Sequence, residues 1–121
     1  EEETTKKDTK GDTFNLSNDH AVAWSINLLQ YAVFQCLVAR HTGYTPGRFT
    51  WFGNNVQIYD RHVEQANILI GRESVECTPK IWLNPDKKDF YTFRVDDIKI
   101  VSYPRAEIDK KNPQLKFQVA I

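Results

Sequence analysis

The sequence carries no surplus of either charge: sixteen Lys and Arg balance sixteen Asp and Glu over 121 residues. A general nucleic-acid coat, a polybasic membrane anchor and an acidic tail protein each need such a surplus, so none of them fits. No apolar run approaches the ~20 residues of a membrane-spanning helix, and no stretch pairs a basic segment with the apolar core of a signal peptide. Cysteine is scarce, with Cys36 and Cys77 alone. Two thiols so far apart build neither a disulfide framework nor a zinc site, which makes a reducing, cytoplasmic setting the expectation. His20, His41 and His62 stand at spacings unrelated to a zinc pattern, so no metal site is expected. There is no glycine-rich phosphate loop, no Ser–His–Asp order and no carboxylate pair. Spacing alone reveals no reaction centre.

What is present is a folding composition, 40% hydrophobic and 12% aromatic, which excludes wholesale disorder. The length allows one domain, and a chain of this size is expected to bury roughly two thirds of its unfolded surface. Residues 1–13 hold no hydrophobic side chain. They read as a charged, solvated tail or an exposed hairpin, with the folded domain running from 14 to 121.

From Asp19 to Thr42 the apolar density is the highest in the chain. Val22, Ile26, Leu29, Val33 and Leu37 recur at helical steps, and Trp24, Leu28, Tyr31, Phe34 and Val38 fill the neighbouring faces. Apolar residues nearly all round predict a buried helix, with Asp19 as N-cap and Gly43 as C-cap. Tyr44 to Gly47 reads as a turn. Residues 48–59 read as strand broken at Gly53-Asn54-Asn55, and Asp60 can cap a second helix reaching Ile70. Lys80–Leu83 is a short strand stopped by Asn84-Pro85. Phe90–Phe93 is a short apolar segment, Ile98–Tyr103 a further strand, and Leu115–Ile121 an alternating apolar end. The fold class is α+β, a long buried central helix packed on a mixed β-sheet. Few elements remain to cover that helix, so another chain or another part of the protein is expected to complete the core.

Three polar groups stand where chemistry could be placed. Asn27 lies between Ile26 and Leu28 on the apolar helix. Its amide can donate and accept at once, which suits the edge of a pyrimidine base; the alternative is a bond to neighbouring backbone. Gln57 and Tyr59 would share a strand face and could grip hydroxyls, or simply face solvent. Ser17-Asn18-Asp19 could receive an anion at the helix start, or serve as a capping turn. Cys36, mid-helix, reads as a structural thiol, and Cys77 sits in a loop with no base nearby.

Three segments in order resemble the C-terminal half of thymidylate synthase. Ser17-Asn18-Asp19 with Ile26-Asn27-Leu28-Leu29-Gln30-Tyr31-Ala32 is similar to the family's Arg-Ser-x-Asp and Phe/Trp-Asn-Ile-x-x-Tyr-Ala. Gly53 to Gln65 is similar to its Gly-Asp-x-His-Ile-Tyr-x-x-His-x-x-Gln run. Leu83-Asn84-Pro85, Val95-Asp96-Asp97-Ile98 and the terminal Val119-Ala120-Ile121 complete it. The resemblance implies reductive methylation of dUMP to dTMP, methylenetetrahydrofolate as co-substrate, and a homodimer. It assigns the uracil edge to Asn27, the deoxyribose hydroxyl to Tyr59 with Gln57 beside it, and the phosphate to Ser17. The pterin of the folate falls to Asp19, and the closing terminal carboxylate to Ile121. The departures are as specific. Leu16 stands where the family has a phosphate-binding Arg, Gln57 where it has His, and Asn55 where it has Asp. The family's nucleophilic Cys belongs to a Pro-Cys-His segment, and neither Cys36 nor Cys77 has that context. No catalytic residue is therefore expected in this chain, and no turnover from it alone. The alternative is a non-catalytic relic that binds nucleotide, dimerises or associates with a complete homologue.

Overall fold

In the computed structural model, residues 8–118 are described. Strand β1 (Asp8–Asn15) leads through β2 (Asn18–Asp19) to helix α1 (Trp24–Thr42), then β3 (Thr45–Gly53) and β4 (Val56–Gln57). Helix α2 (Val63–Gly71), strands β5 (Lys80–Leu83) and β6 (Ile98–Val101), and helix α3 (Arg105–Lys111) follow. Single 3-10 turns lie at Asp60–His62, Phe90–Thr92 and Val95–Asp97.

The architecture is α+β, but the strands do not join into one mixed sheet. Among the described residues they form three two-stranded ribbons: β1–β3 and β2–β4, both parallel, and β5–β6, antiparallel. Parallel neighbours need a long crossover, and α1 is that crossover for the first two ribbons. The antiparallel pair is closed by the Asn84–Asp97 segment instead.

β1 begins inside the stretch expected to be tail, so the boundary drawn at residue 13 falls within a strand. The reason is that ladder pairing uses backbone N–H and C=O groups, which charged and polar residues carry as well as apolar ones. The turn expected at Tyr44–Gly47 is shorter than its residues suggested. Gly43, at φ 79°, makes it in the left-handed region, and its N–H caps the Ala39 carbonyl, as glycine does with no Cβ penalty. The chain is already in β3 by Thr45. Pro46 is tolerated opposite Thr9 because the register shifts between Thr9 and Gly11 and β3 has a partner on one side alone.

α1 starts at Trp24, not after Asp19. Its N-cap is Ala23, with no side-chain bond. Asp19 spends its capping chemistry one turn earlier: its carboxylate accepts the Val22 N–H at 3.4 Å and its carbonyl the Ala23 N–H at 3.0 Å. Nor is α1 buried within this chain. β1 and β3 cover one side, and the Phe90–Thr92 turn touches another through an edge-on Phe34–Phe90 contact. Ile26 and Phe34 remain 59% and 55% exposed. Among the described residues, Ala39 and Ala66 are the buried apolar ones. The alternating apolar end forms neither helix nor strand from Leu115 through Gln118, and residues 119–121 lie outside the described range.

Candidate functional site

The short β2–β4 ribbon joins two motifs whose paired residues are 38 apart in sequence. Asn18 pairs with Val56, and Asp19 with Gln57. The Asn18 N–H donates to Asn55 O at 2.9 Å and the His20 N–H to Gln57 O at 2.8 Å. Asp19 and Gln57, assigned separately, are thus direct ladder neighbours. Ser17 lies just ahead of them, exposed in the bend between β1 and β2. The expectation that Gln57 and Tyr59 share a strand face is corrected: β4 ends at Gln57, and Tyr59 is the residue before the 3-10 turn at Asp60.

Asn27 is brought to this ribbon by the first turn of α1. Its Oδ1 accepts from Asn18 Nδ2 at 3.4 Å, and its own Nδ2 donates to Gln30 Oε1 at 3.3 Å. The partners are side chains, not loop backbone, and both bonds are at the long end of the hydrogen-bonding range. Asn18 is 5% exposed, and its Oδ1 is buried without a protein partner. The sequence places Asn18 with Ser17 and Asp19 in one anion-receiving or capping turn and gives it no separate role. Nothing in its spacing signals that strand pairing turns it inward. Gln30 lines a cleft of about 830 Å³ between α1 and β1, with Tyr31, Phe34 and Phe14 among its walls. Asn27 itself does not line that cleft.

Beside Asn27, His20, Trp24 and Trp51 form a ring cluster, with centroids 4.6 Å apart for His20–Trp24 and 5.9 Å for Trp24–Trp51. The cluster braces the ribbon against the helix start. Gly53 permits it: a Cβ there would come within 2.2 Å of the Trp51 ring.

Tyr59 is exposed and stands edge-on to His62, with centroids 5.8 Å apart. His62 is 1% exposed, and its Nε2 lies 2.7 Å from Gln118 O. A carbonyl accepts, so Nε2 carries the proton. Ile121, assigned to the folate, lies outside the described residues.

Two of the family-like motifs prove to be structural. Asp97 is buried, takes Asn84 Nδ2 at 2.7 Å on one oxygen, and takes Lys87 Nζ at 2.6 Å and the Arg94 N–H at 2.9 Å on the other. Those hydrogen bonds from Asn84, Lys87 and Arg94 hold its carboxyl down at about 2. Arg40 of α1 donates to the carbonyls of Asn84 and Lys87 at 2.8 and 2.9 Å, fastening this knot to the central helix.

Neither cysteine joins the site. Cys36 is nine residues further along α1 than Asn27, about 13 Å of helix rise, in a small cleft with Arg40, Tyr44 and Leu83. Burial pushes its thiol pKa up, away from thiolate. Cys77 borders a separate shallow depression with Thr78 and Tyr103. Among the described residues, no group of His, Cys, Asp and Glu could hold a metal ion, and no helix is long and apolar enough to cross a membrane.

The sequence model of thymidylate synthase matches residues 10–121. Thymidylate synthase of Streptococcus agalactiae serotype Ia is 44% identical over 106 residues, which is 87% of this chain and 36% of that protein. Thymidylate synthase of Streptococcus pneumoniae strain P1031 is 42% identical over the same length and shares. Among solved structures, thermostable thymidylate synthase A from Bacillus subtilis superposes with a TM-score of 0.82 at 34% identity, over 94% of this chain and 39% of that one. The chain thus spans about a third of the length of the curated relatives it matches. With the β2–β4 ribbon, the Asn27 contacts and this similarity taken together, the chain belongs to the thymidylate synthase family.

Proposed function

We propose that this chain supplies the nucleotide- and folate-facing side of a thymidylate synthase site, and that the nucleophilic thiolate of the reaction comes from outside these 121 residues. The reaction is reductive methylation of dUMP to dTMP with methylenetetrahydrofolate. The observation that carries the reading is the β2–β4 ribbon: it sets Asp19 against Gln57 and ties Asn18 to Asn27. Asn27 Nδ2 donates to a uracil carbonyl and Oδ1 accepts the ring N–H. Its present partners, at 3.3–3.4 Å, are weak enough to be exchanged for a base at little cost. Tyr59 offers its hydroxyl to the deoxyribose, with Gln57 as a second donor. Ser17 reaches toward the phosphate. Asp19 has carboxylate capacity beyond its single long bond to Val22, enough to take N–H donors from the pterin. Ile121 is the second residue assigned to the folate. Covalent attack on the pyrimidine needs an activated thiolate. Cys36 is a high-pKa thiol a dozen ångströms along the helix and cannot provide it. The chain alone is inactive, works as a homodimer or with a complementary polypeptide, and belongs in the reducing cytoplasm.

One observation favours a second reading, a non-catalytic relic that associates with a complete homologue. Leu16, in place of the phosphate-binding Arg, is 70% exposed and offers a phosphate nothing. Calorimetry with dUMP separates the two. A dissociation constant below about 100 μM, worth roughly 5.5 kcal/mol, supports the retained pocket. Absence of heat at millimolar nucleotide, with co-purification of a full-length synthase, supports the relic.

A further inference from the structure

The segment leading to the C-terminus is fastened along α2 in reverse order. Asn112 Nδ2 donates to Glu73 O at 2.8 Å, and Arg72 Nη2 to Pro113 O at 2.7 Å. His62 Nε2 donates to Gln118 O at 2.7 Å. As the C-terminal residues rise from 112 to 118, their partners fall from 73 to 62, so this segment runs antiparallel to α2 from its end back to its start. His62 is the last of these ties before Ile121, and the best seated. Its ring is 1% exposed and stands edge-on both to Phe117, at 5.2 Å and 89°, and to Tyr59, at 5.8 Å and 84°. One imidazole therefore touches a proposed sugar-binding residue, Tyr59, on one side and Phe117, in the segment that leads to Ile121, on the other. Its Nδ1 is buried without a protein partner. A buried ring with an unpaired nitrogen is not the least costly filler for that space. A phenyl ring would fill it without the orphan atom, and would lose the bond to Gln118.

We infer that His62 is a positioning residue: it holds the C-terminal segment in register with Tyr59, so that nucleotide and folate are bound by parts of one rigid unit. This rests on the reading of the site given above. The inference makes an uneven demand on the two ligands. Removing the bond frees the C-terminal segment and therefore the folate contact, while Asn27 and the β2–β4 ribbon are untouched and nucleotide affinity stays.

Amide hydrogen exchange on the full chain tests it without any ligand. His62→Phe keeps the ring and removes the donor. Phe117→Ala frees the segment without touching α2, and stands in if His62→Phe does not fold. Exchange in residues 113–118 is expected to rise about tenfold in either variant, while the β5–β6 ribbon keeps wild-type protection. His62→Gln, which retains an N–H donor, is expected to recover most of the protection. Unchanged exchange in 113–118, or an equal rise in β5–β6, overturns the inference. A second measurement reads function: a folate analogue in the presence of saturating dUMP should bind His62→Phe at least about fivefold more weakly than wild type, with dUMP affinity held within about twofold. Equal losses for both ligands also overturn it. If the wild-type chain binds neither ligand, the reading of the site fails, and the exchange result still decides His62.

Discussion

Asn27 and Asp97 are both polar residues held by hydrogen bonds, and their bond lengths separate their roles. Asp97 has three donors, the Asn84 and Lys87 side chains at 2.6–2.7 Å and the Arg94 backbone N–H at 2.9 Å. Asn27 has two partners at 3.3–3.4 Å. Short, saturated bonds fix a structure, whereas long bonds between side chains leave an amide available. Asn27→Asp is expected to keep the fold, because the carboxylate can still accept from Asn18. It should lose at least about tenfold in dUMP affinity, since an acceptor-only group faces the uracil carbonyl. Calorimetry beside a melting curve checks both halves, and an unchanged dUMP affinity would remove Asn27 from the site. For Asp97 the expected signature is acid sensitivity. Its carboxyl sits at about 2 in the fold against an ordinary 3.8. The stability it contributes is complete above about pH 4 and is lost as pH falls toward about 2. Asp97→Asn should flatten that part of the acid unfolding curve, and should lower the melting temperature at pH 7 by leaving the Lys87 ammonium with the Thr92 carbonyl but no counter-charge. A variant with the wild-type acid profile would show that the knot carries no linkage.

At the scale of elements, what could be read from the residues depends on where the information lies. β5 matches its expected bounds to the residue because Asn84-Pro85 stops it locally. Gly43 ends α1 as expected because the left-handed cap is a property of one residue. The start of α1 was misplaced by a turn because Asp19 caps something else. β1 was read as tail because its cause is the ladder with β3, which no side-chain pattern in residues 8–13 announces. α3 has too short an apolar face to stand out, and was not expected. The candidate site divides in the same way. Asn27, Asp19 and Tyr59 were visible through motif resemblance. The inward turn of Asn18 and the His62 bond were not, since they depend on pairings across 38 and 56 residues of chain. Gly53 is a case where resemblance and geometry meet. The family-like motif begins at this glycine because the Trp51 ring and the Val56 methyl, 2.2 and 2.8 Å from any added Cβ, leave no room for one. Gly53→Ala should therefore push Trp51 off Trp24 and cost about 1–3 kcal/mol of stability, read as a lower denaturant midpoint with blunted near-ultraviolet dichroism. A neutral effect would mean that the ring cluster is loosely held.

The whole molecule is defined by how little it hides. Unfolded, a chain of 14.1 kDa exposes about 20,400 Å². The folded chain exposes 9910 Å², so folding removes about half of the surface, where roughly two thirds is usual at this size. Full exposure of the ten terminal residues outside the described range, at about 170 Å² each, would still leave the rest well short of that fraction. Part of the deficit falls where α1 was expected to be covered, at Ile26, Leu29 and Phe34 on the helix and the stacked pair Phe14–Phe52 on the first ribbon; Ile70, Tyr91 and Val95 are more exposed still. So many exposed large apolar side chains are rare on a lone soluble domain, and those on α1 and the first ribbon mark a face built to meet more protein. The relatives, of which this chain matches about a third, are correspondingly longer. In isolation the 121-residue chain should therefore self-associate at micromolar concentration and bind a hydrophobic dye. Replacing Ile26 and Phe34 together with Ser should weaken both behaviours without unfolding the ribbons, because neither side chain is buried in the single chain. Sedimentation velocity decides it: a sharp monomer boundary from the wild-type chain, with native dichroism and no dye binding, would show that the open face needs no cover.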